Sequence, residues 1–353
     1  MKILFIPGKY PFCYYVRGYL PGVYSNNMVV SDFVKLGTDI SHESIVKQAK
    51  IADVIVFQRP NEKKTLELIR ILKSMGKKVI FENDDTYLVN KGIILDRLES
   101  DKQRKIAIEM SDTTNEILSI CDGAIASTEI LADEYRALNN NVAVLKNCID
   151  PLDKFITKKN TTGKFRIGFV GSVTTNDDYI HIKEQIKRLD ERGDITIVVM
   201  GVVYKDGSYL SFMKDDYWFW SMLKNVEWHP YVNVTEYMST VASLALDVAI
   251  IPRVDSYFNK CKSNLKFLEM SLLGIPVIAQ GFKDGLSPYQ GKDEEFMTVV
   301  VDNNKWYDTV IRVKDDYSTY ANLAKKACDY VLKEYNIKTY AKVWVDTISK
   351  LIK

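Results

Sequence analysis

The sequence predicts an α/β protein of two doubly wound domains facing a cleft. Three observations carry this. Short apolar runs alternate with amphipathic, helix-like stretches through the first ~150 residues. The alternation stops over a polar segment holding Pro151 and Gly163, then starts again. The length, 353 residues, exceeds one small core and fits two domains. Strands with both faces covered read as continuous apolar runs, and strand-helix-strand alternation implies parallel pairing.

In the first domain, residues 1–150, the strands are KILFI, IADVIVF at 51–57, KKVIFEN at 77–83, DGAIAST at 122–128 and NVAVLKN at 141–147. The helical pattern TLELIRILKSMG ends in Gly76, placed to close the helix in a left-handed conformation. The first connection, PGKYPFCYYVRGYLPGVYS, reads as a long aromatic loop shaping an acceptor pocket, with Lys9, Tyr15 and Arg17 as its candidate residues. The plainer reading is a packed aromatic loop. Residues 151–164 read as an interdomain linker, having no periodicity and much polar character. The second domain, 165–337, takes its strands from FRIGFVGS, DITIVVMG, NVEWHPYV, LDVAIIP, IPVIA and FMTVVVD. A last helix, 338–353, carries Tyr340, Val343, Trp344 and Ile348 on one side, with Trp344 expected to be buried.

Bulk properties exclude several classes. Forty-eight basic and 46 acidic side chains give a formal charge of +2, too small a field to indicate a nucleic-acid or membrane-surface partner. Five cysteines at 13, 121, 148, 261 and 328 lack CxxC spacing, which favours reduced thiols in a cytoplasmic protein over a disulfide frame or zinc site. No apolar run approaches the ~20 residues of a membrane span. The start, MKILFIPGKYPF, reads as a buried strand, not a signal sequence. His42, His181 and His229 show no partner spacing and read as structural or surface residues.

No G-x-G-x-x-G follows a strand and no G-x-x-x-x-G-K-[ST] occurs, so the dinucleotide and P-loop fingerprints are absent. What remains is a strand end at Gly171-Ser172, before a helix start near Asn176, and the stretch RVDSYFNKCKSNLKFLEM after LDVAIIP. A helix is expected to begin at Ser263. Arg253, Asn259, Lys260 and Lys262 precede it, and Lys266 lies one turn in. Cations are disfavoured at a helix N-terminus, whose free N–H groups attract anions. Ammonium groups there fit a diphosphate. Glu269 offers two carboxylate oxygens to a vicinal diol; alternatively it pairs with Lys266 at i, i+3.

These residues carry a resemblance. KSNLKFLEMSLLGIPVIA, GFVGSVTTNDDY and NNKWYDTVIRVKDDY with its Trp-bearing last helix resemble the donor-site half of retaining nucleotide-sugar glycosyltransferases of the GT-B fold, the family-4-like group. The likeness covers residues 165–350 well and 1–150 only in strand order. It implies that Lys260, Lys262 and the N–H groups of Ser263 and Asn264 hold a donor diphosphate, that Glu269 binds the ribose, and that Gly171 and Ser172 lie under the phosphates. It also implies that the last helix returns to the first domain. Cys261 stands where the family has the first glutamate of E-x7-E.

In the first domain, FENDDTYL puts Asp84 and Asp85 at a strand's carboxyl end, as acceptor-recognising or proton-accepting groups or as the cap of the next turn. The expected reaction moves a sugar, a UDP-hexose by resemblance, to an acceptor hydroxyl of unknown identity. Neither metal nor cofactor is expected, since lysines and a helix start already neutralise the phosphates. Two alternatives stay open: a non-catalytic sugar-nucleotide or glycan binder, which the Cys261 departure suggests, and a transferase acting on modified DNA bases, which the near-neutral charge disfavours.

Overall fold

The structure is a computed structural model; it describes residues 1–26, 28–30, 42–89, 91, 95, 98, 100–171, 176–203 and 219–353. Two compact units result. One comprises Met1–Cys148, Lys260–Ser263 and Ile337–Lys353; the other comprises Ile149–Asn259 and Asn264–Asn336.

The first unit holds a six-stranded parallel sheet of β1 (Ile3–Ile6), β2 (Met28–Val30), β3 (Val54–Gln58), β4 (Lys78–Asn83), β5 (Gly123–Ala126) and β6 (Val142–Val144). Its order is β2-β1-β3-β4-β5-β6. Strand β2 was not expected, for three residues after an aromatic stretch give no pattern. Ile3, Phe5, Val54, Val56, Ile80 and Ile125 form a core with Trp344 and Ile348 of the last helix, Ile337–Leu351. Trp344 is 1 % exposed. Between strands, the helix Lys63–Ser74 ends at Met75, and Gly76 follows at φ +76.

The first connection is helical, which corrects its reading as a loop. Pro11–Tyr14 is α-helical, Tyr15–Tyr19 forms a π-turn, and Leu20–Ser25 is α-helical again. Two features account for this. Pro11 occupies a helix N-terminal position where its missing N–H costs nothing. The i→i+5 register, with Leu20 N donating to Tyr15 O, ends just before Pro21, which cannot donate.

The second unit holds β7 (Phe165–Val170), β8 (Ile195–Val203), β9 (Val226–Pro230), β10 (Val248–Ile251), β11 (Val277–Gln280) and β12 (Thr298–Val300), ordered β12-β11-β10-β7-β8-β9 and parallel throughout. Ile167, Phe169, Ile197, Val199, Val248 and Ile250 meet Trp220 and Trp306 in its core. Residues read as a linker pack on this unit: Lys158 N donates to Ala242 O, and Thr157 Oγ1 to Leu273 O.

Candidate functional site

Strands β7 and β10 lie side by side, yet their continuations run to opposite sides of the sheet. Such a switch point opens a crevice at the carboxyl ends of parallel strands, where ligands bind in doubly wound folds. Gly171 follows β7 directly. Ser172, its expected companion, lies outside the described residues. Asp178, on the short helix Asn176–Ile180, ties the two loops together. Its carboxylate accepts from Arg253 Nη1 at 2.6 Å, Val254 N at 2.8 Å and Asn259 Nδ2 at 2.8 Å. Arg253 also donates to Tyr289 Oη at 3.5 Å. Burial works against the guanidinium charge, but Tyr289 and Asp178 outweigh it and hold its pKa above the ordinary arginine value. Arg253 Nε and Asn259 Oδ1 are buried without a protein hydrogen bond. Buried polar atoms are nearly always satisfied, and these two are among the exceptions in the described residues.

The expected helix start is displaced by one residue. Tyr257–Cys261 forms a short helix of its own, and the next runs Leu265–Leu272 with Asn264 as its cap. Asn264 makes no side-chain cap bond; its amide is drawn instead to Asp293, which Tyr330 and Tyr335 hold by their hydroxyls at 2.7 and 3.0 Å. The first-turn N–H groups are thus left without a side-chain cap. Glu269, one turn along, is buried, and Lys266 Nζ donates to its Oε2 at 3.0 Å. The i, i+3 pair expected as an alternative is present, but inside the fold and not on its surface. Tyr237 Oη donates to the same oxygen at 3.0 Å.

In the first unit, a second charged cluster forms at the carboxyl ends of β3 and β4. Arg59, at a left-handed φ of 50°, contacts Asp84 Oδ1 at 3.3 Å, Asp85 Oδ2 at 3.2 Å and Cys13 Sγ at 3.2 Å. Asp85 also accepts from Lys262 Nζ. Burial would raise the Asp85 pKa, but Lys262 and Arg59 prevail and hold it below the usual carboxylate value. Burial, with Asp84 adding to it, pushes the Cys13 thiol well up. Asp84 and Asp85 do not cap the next described helix, Asp101–Ile120, which Ser100 and Gln103 cap as a box. Ser263 Oγ accepts from Asn147 Nδ2 at 2.8 Å, and Cys261, fully buried, accepts at its carbonyl from Thr128 Oγ1 at 2.9 Å.

The three acceptor-side residues are not brought together. Lys9 pairs with Glu62 at the surface. Tyr15 stacks on Tyr19 at 5.5 Å between centroids and packs beside Ile337. Arg17 is fully buried: Nε donates to Glu82 Oε1 at 2.7 Å, Nη1 to Leu145 O and Asn147 Oδ1, and the guanidinium lies 4.7 Å from the centre of the Trp344 ring. The anion it meets is Glu82. Burial, countered by Arg17, leaves that carboxyl with a pKa pushed up to about 7. Sequence reading missed Arg59, Asp178, Tyr237, Tyr289 and Asp293. An arginine at a strand's end was the available signal for Arg59, and Asp178 lies within the quoted stretch GFVGSVTTNDDY; Tyr237, Tyr289 and Asp293 sit on helices and loops with no motif.

Among the described residues no group of three or more His, Cys, Asp or Glu side chains could hold a metal ion, and no helix is long and apolar enough to cross a membrane.

No protein-family model matches the sequence, and no curated protein matches it. Solved structures do. HepE of Anabaena in complex with UDP superposes with a TM-score of 0.66 at 13 % identity, covering 99 % of this chain and 100 % of that one. Sucrose-phosphate synthase from Thermosynechococcus elongatus gives 0.66 at 12 %, covering 99 % of both chains. A glycosyltransferase from Rickettsia africae gives 0.64 at 9 %, covering 100 % of this chain and 98 % of that one. At such identities the likeness speaks to architecture, and the architecture of this chain is the GT-B fold.

Proposed function

We propose that this protein is a glycosyltransferase that moves a hexose from a UDP-sugar to an acceptor hydroxyl, with retention and without a metal ion. The observation that carries the reading is Glu269. A carboxylate is kept buried one turn into a helix whose first N–H groups have no side-chain cap, at the carboxyl edge of a switch-point sheet. That pairing of anion-seeking amides with a diol-seeking carboxylate suits a nucleoside diphosphate, phosphates toward the helix start and ribose toward Glu269. The end-to-end likeness to structures holding UDP and UDP-glucose supports it.

In this reading Lys260, Lys262 and the amides of Ser263 and Asn264 receive the diphosphate. Gly171 lets the backbone approach it, with no Cβ in the way. Arg253 and Asn259 serve through their unsatisfied Nε and Oδ1. The reaction breaks the bond from the anomeric carbon to the diphosphate oxygen and forms one to the acceptor oxygen, whose proton is lost. Charge grows on the departing diphosphate, so ammonium groups and helix amides fixed in advance lower the barrier, alongside the positioning of both substrates. Asp84 and Asp85 are the carboxylates proposed to recognise or deprotonate the acceptor.

A second reading, a sugar-nucleotide binder without turnover, rests on Cys261, whose side chain is fully buried where the resembling family has a glutamate. One experiment decides between them. UDP-sugars are screened by thermal shift, and UDP release is then followed for each binder. A raised midpoint with slow hydrolysis supports the transferase, since binding to the native state alone stabilises it. A raised midpoint with no release under any acceptor supports the binder. No shift from any UDP-sugar overturns both.

A further inference from the structure

We infer that Tyr237 is the positioning residue of the ribose subsite, its hydroxyl fixing the Glu269 carboxylate for the nucleotide diol; this rests on the donor reading above. The helix Val234–Ser243 turns Tyr237, Met238, Val241 and Ala242 inward. That places the Tyr237 ring, 6 % exposed, beside the first turn of Leu265–Leu272. Three groups then close a ring of hydrogen bonds. Lys266 Nζ donates to Tyr237 Oη at 2.6 Å and to Glu269 Oε2 at 3.0 Å, and Tyr237 Oη donates to Glu269 Oε2 at 3.0 Å. The ammonium also lies 4.6 Å from the centre of the Tyr237 ring.

The arrangement has a consequence for the carboxylate's two oxygens. Both contacts fall on Oε2, and among the described residues nothing hydrogen-bonds Oε1. A carboxylate anchored at one oxygen from two directions has lost its freedom to rotate, so its other oxygen has a fixed direction. A ligand that meets a pre-set acceptor loses less entropy than one that must order it. Burial, with Glu269 adding to it, drives the Tyr237 pKa far up, so the hydroxyl remains a donor at every working pH. Lys266 alone would not give this. A single ammonium on a flexible stem leaves the carboxylate free to swing about the contact.

Tyr237→Phe removes one oxygen and keeps the ring's packing and its contact with Lys266. The test measures binding of UDP and of 2′,3′-dideoxy-UDP by calorimetry, and donor KM and kcat by UDP release. The wild-type protein is expected to prefer UDP over the dideoxy form by about tenfold or more, because a site built for hydroxyls is left unpaired by an analogue lacking them. Tyr237→Phe should cut that preference to about threefold or less, raise donor KM about tenfold, and leave kcat and dideoxy-UDP affinity within about twofold. A general loss of structure would weaken both nucleotides alike. Lys266→Met, which empties the other side of the ring, should also lower the preference. If the wild type prefers UDP and Tyr237→Phe keeps the same preference, Tyr237 does not position Glu269, although the donor reading stands. If the wild type binds neither nucleotide, or both equally, the donor reading itself fails and this inference with it.

Discussion

The ammonium of Lys262 donates to the carboxylate of Asp85, 177 residues away in the chain. The lysine belongs to the tetrapeptide Lys260–Ser263, which joins the first unit although the chain on either side belongs to the second. Asp85 thus already supplies an anion to one of the lysines that had no business preceding a helix start. With Arg59 on its other side, the carboxylate is shared between two cations. Its pKa is held below the ordinary value, so in the acid range the unfolded chain binds the extra proton. The stabilisation is therefore complete above the ordinary carboxylate pKa of about 3.9 and is lost as pH falls below it. Asp85→Asn should cost roughly 1–3 kcal/mol at pH 7, a loss moderated by partial exposure of the lysine, and should flatten the acid limb. Urea midpoints from pH 2.5 to 7 test this; parallel acid limbs in the two proteins would refute it.

Lys260→Ala with Lys262→Ala should slow UDP release from a UDP-sugar by about 10² or more, the usual cost of losing a fixed charge partner at a developing anion. Asp85 keeps Arg59 in that variant, so the melting temperature should fall only modestly. A parent rate in the double variant would show that neither ammonium meets the diphosphate.

The central strands were legible because they are buried on both faces and so are written as apolar runs, as IADVIVF is for β3 and LDVAIIP for β10. Met28–Val30 was not, being three residues long. Gly76 announced a helix end because its φ of +76° excludes most other residues. The helical nature of Pro11–Ser25 was hidden, since aromatic residues and two prolines look like a loop until the π-turn is seen to absorb Pro21. Site residues followed the same rule. Lys266 and Glu269 were visible through their i, i+3 spacing on one helix. Arg59 with Asp85, Asp178 with Arg253 and Tyr237 with Glu269 were not, because each pair is made by tertiary packing across 26, 75 or 32 residues. Arg17 shows the limit most clearly. Its charge suggested a ligand contact, and only the structure reveals that Glu82 was the anion intended for it.

Arg17 and Glu82 are both fully buried, so removing Arg17 leaves the Glu82 carboxyl and the acceptors at Leu145 and Asn147 without their donor. Arg17→Met should destabilise by about 3–5 kcal/mol. The pH dependence has the opposite sign to that of Asp85. Burial raises the Glu82 pKa from 4.5 to about 7, and Arg17 only partly offsets this. Between those values the folded protein holds the extra proton, so this group's contribution falls as pH rises from about 4.5 to about 7. Glu82→Gln keeps an acceptor for Arg17 and abolishes the titration. Melting temperatures from pH 4.5 to 8 should decline less steeply in Glu82→Gln than in the wild type; equal slopes would show that Glu82 is ionised throughout.

Gly18 packs against Phe5 so closely that a Cβ there would come within 2.4 Å of the ring's Cε1 and 2.9 Å of its Cζ. Two effects compete in Gly18→Ala. Alanine is the better helix former by about 1 kcal/mol, which favours the variant. Against it, Phe5 is fully buried in β1 among Ile3, Val54 and Val56, so its ring cannot swing away and the helical connection must retreat. Overpacking of this kind costs about 1–3 kcal/mol. The retreat also draws on Arg17, the adjacent residue, whose three hydrogen-bond partners are fixed by β4 and by residues 145–147. The clash should therefore win, and Gly18→Ala should lower the urea midpoint although it improves helix propensity. An unchanged or higher midpoint would mean that the connection sits farther from β1 than 2.4 Å implies.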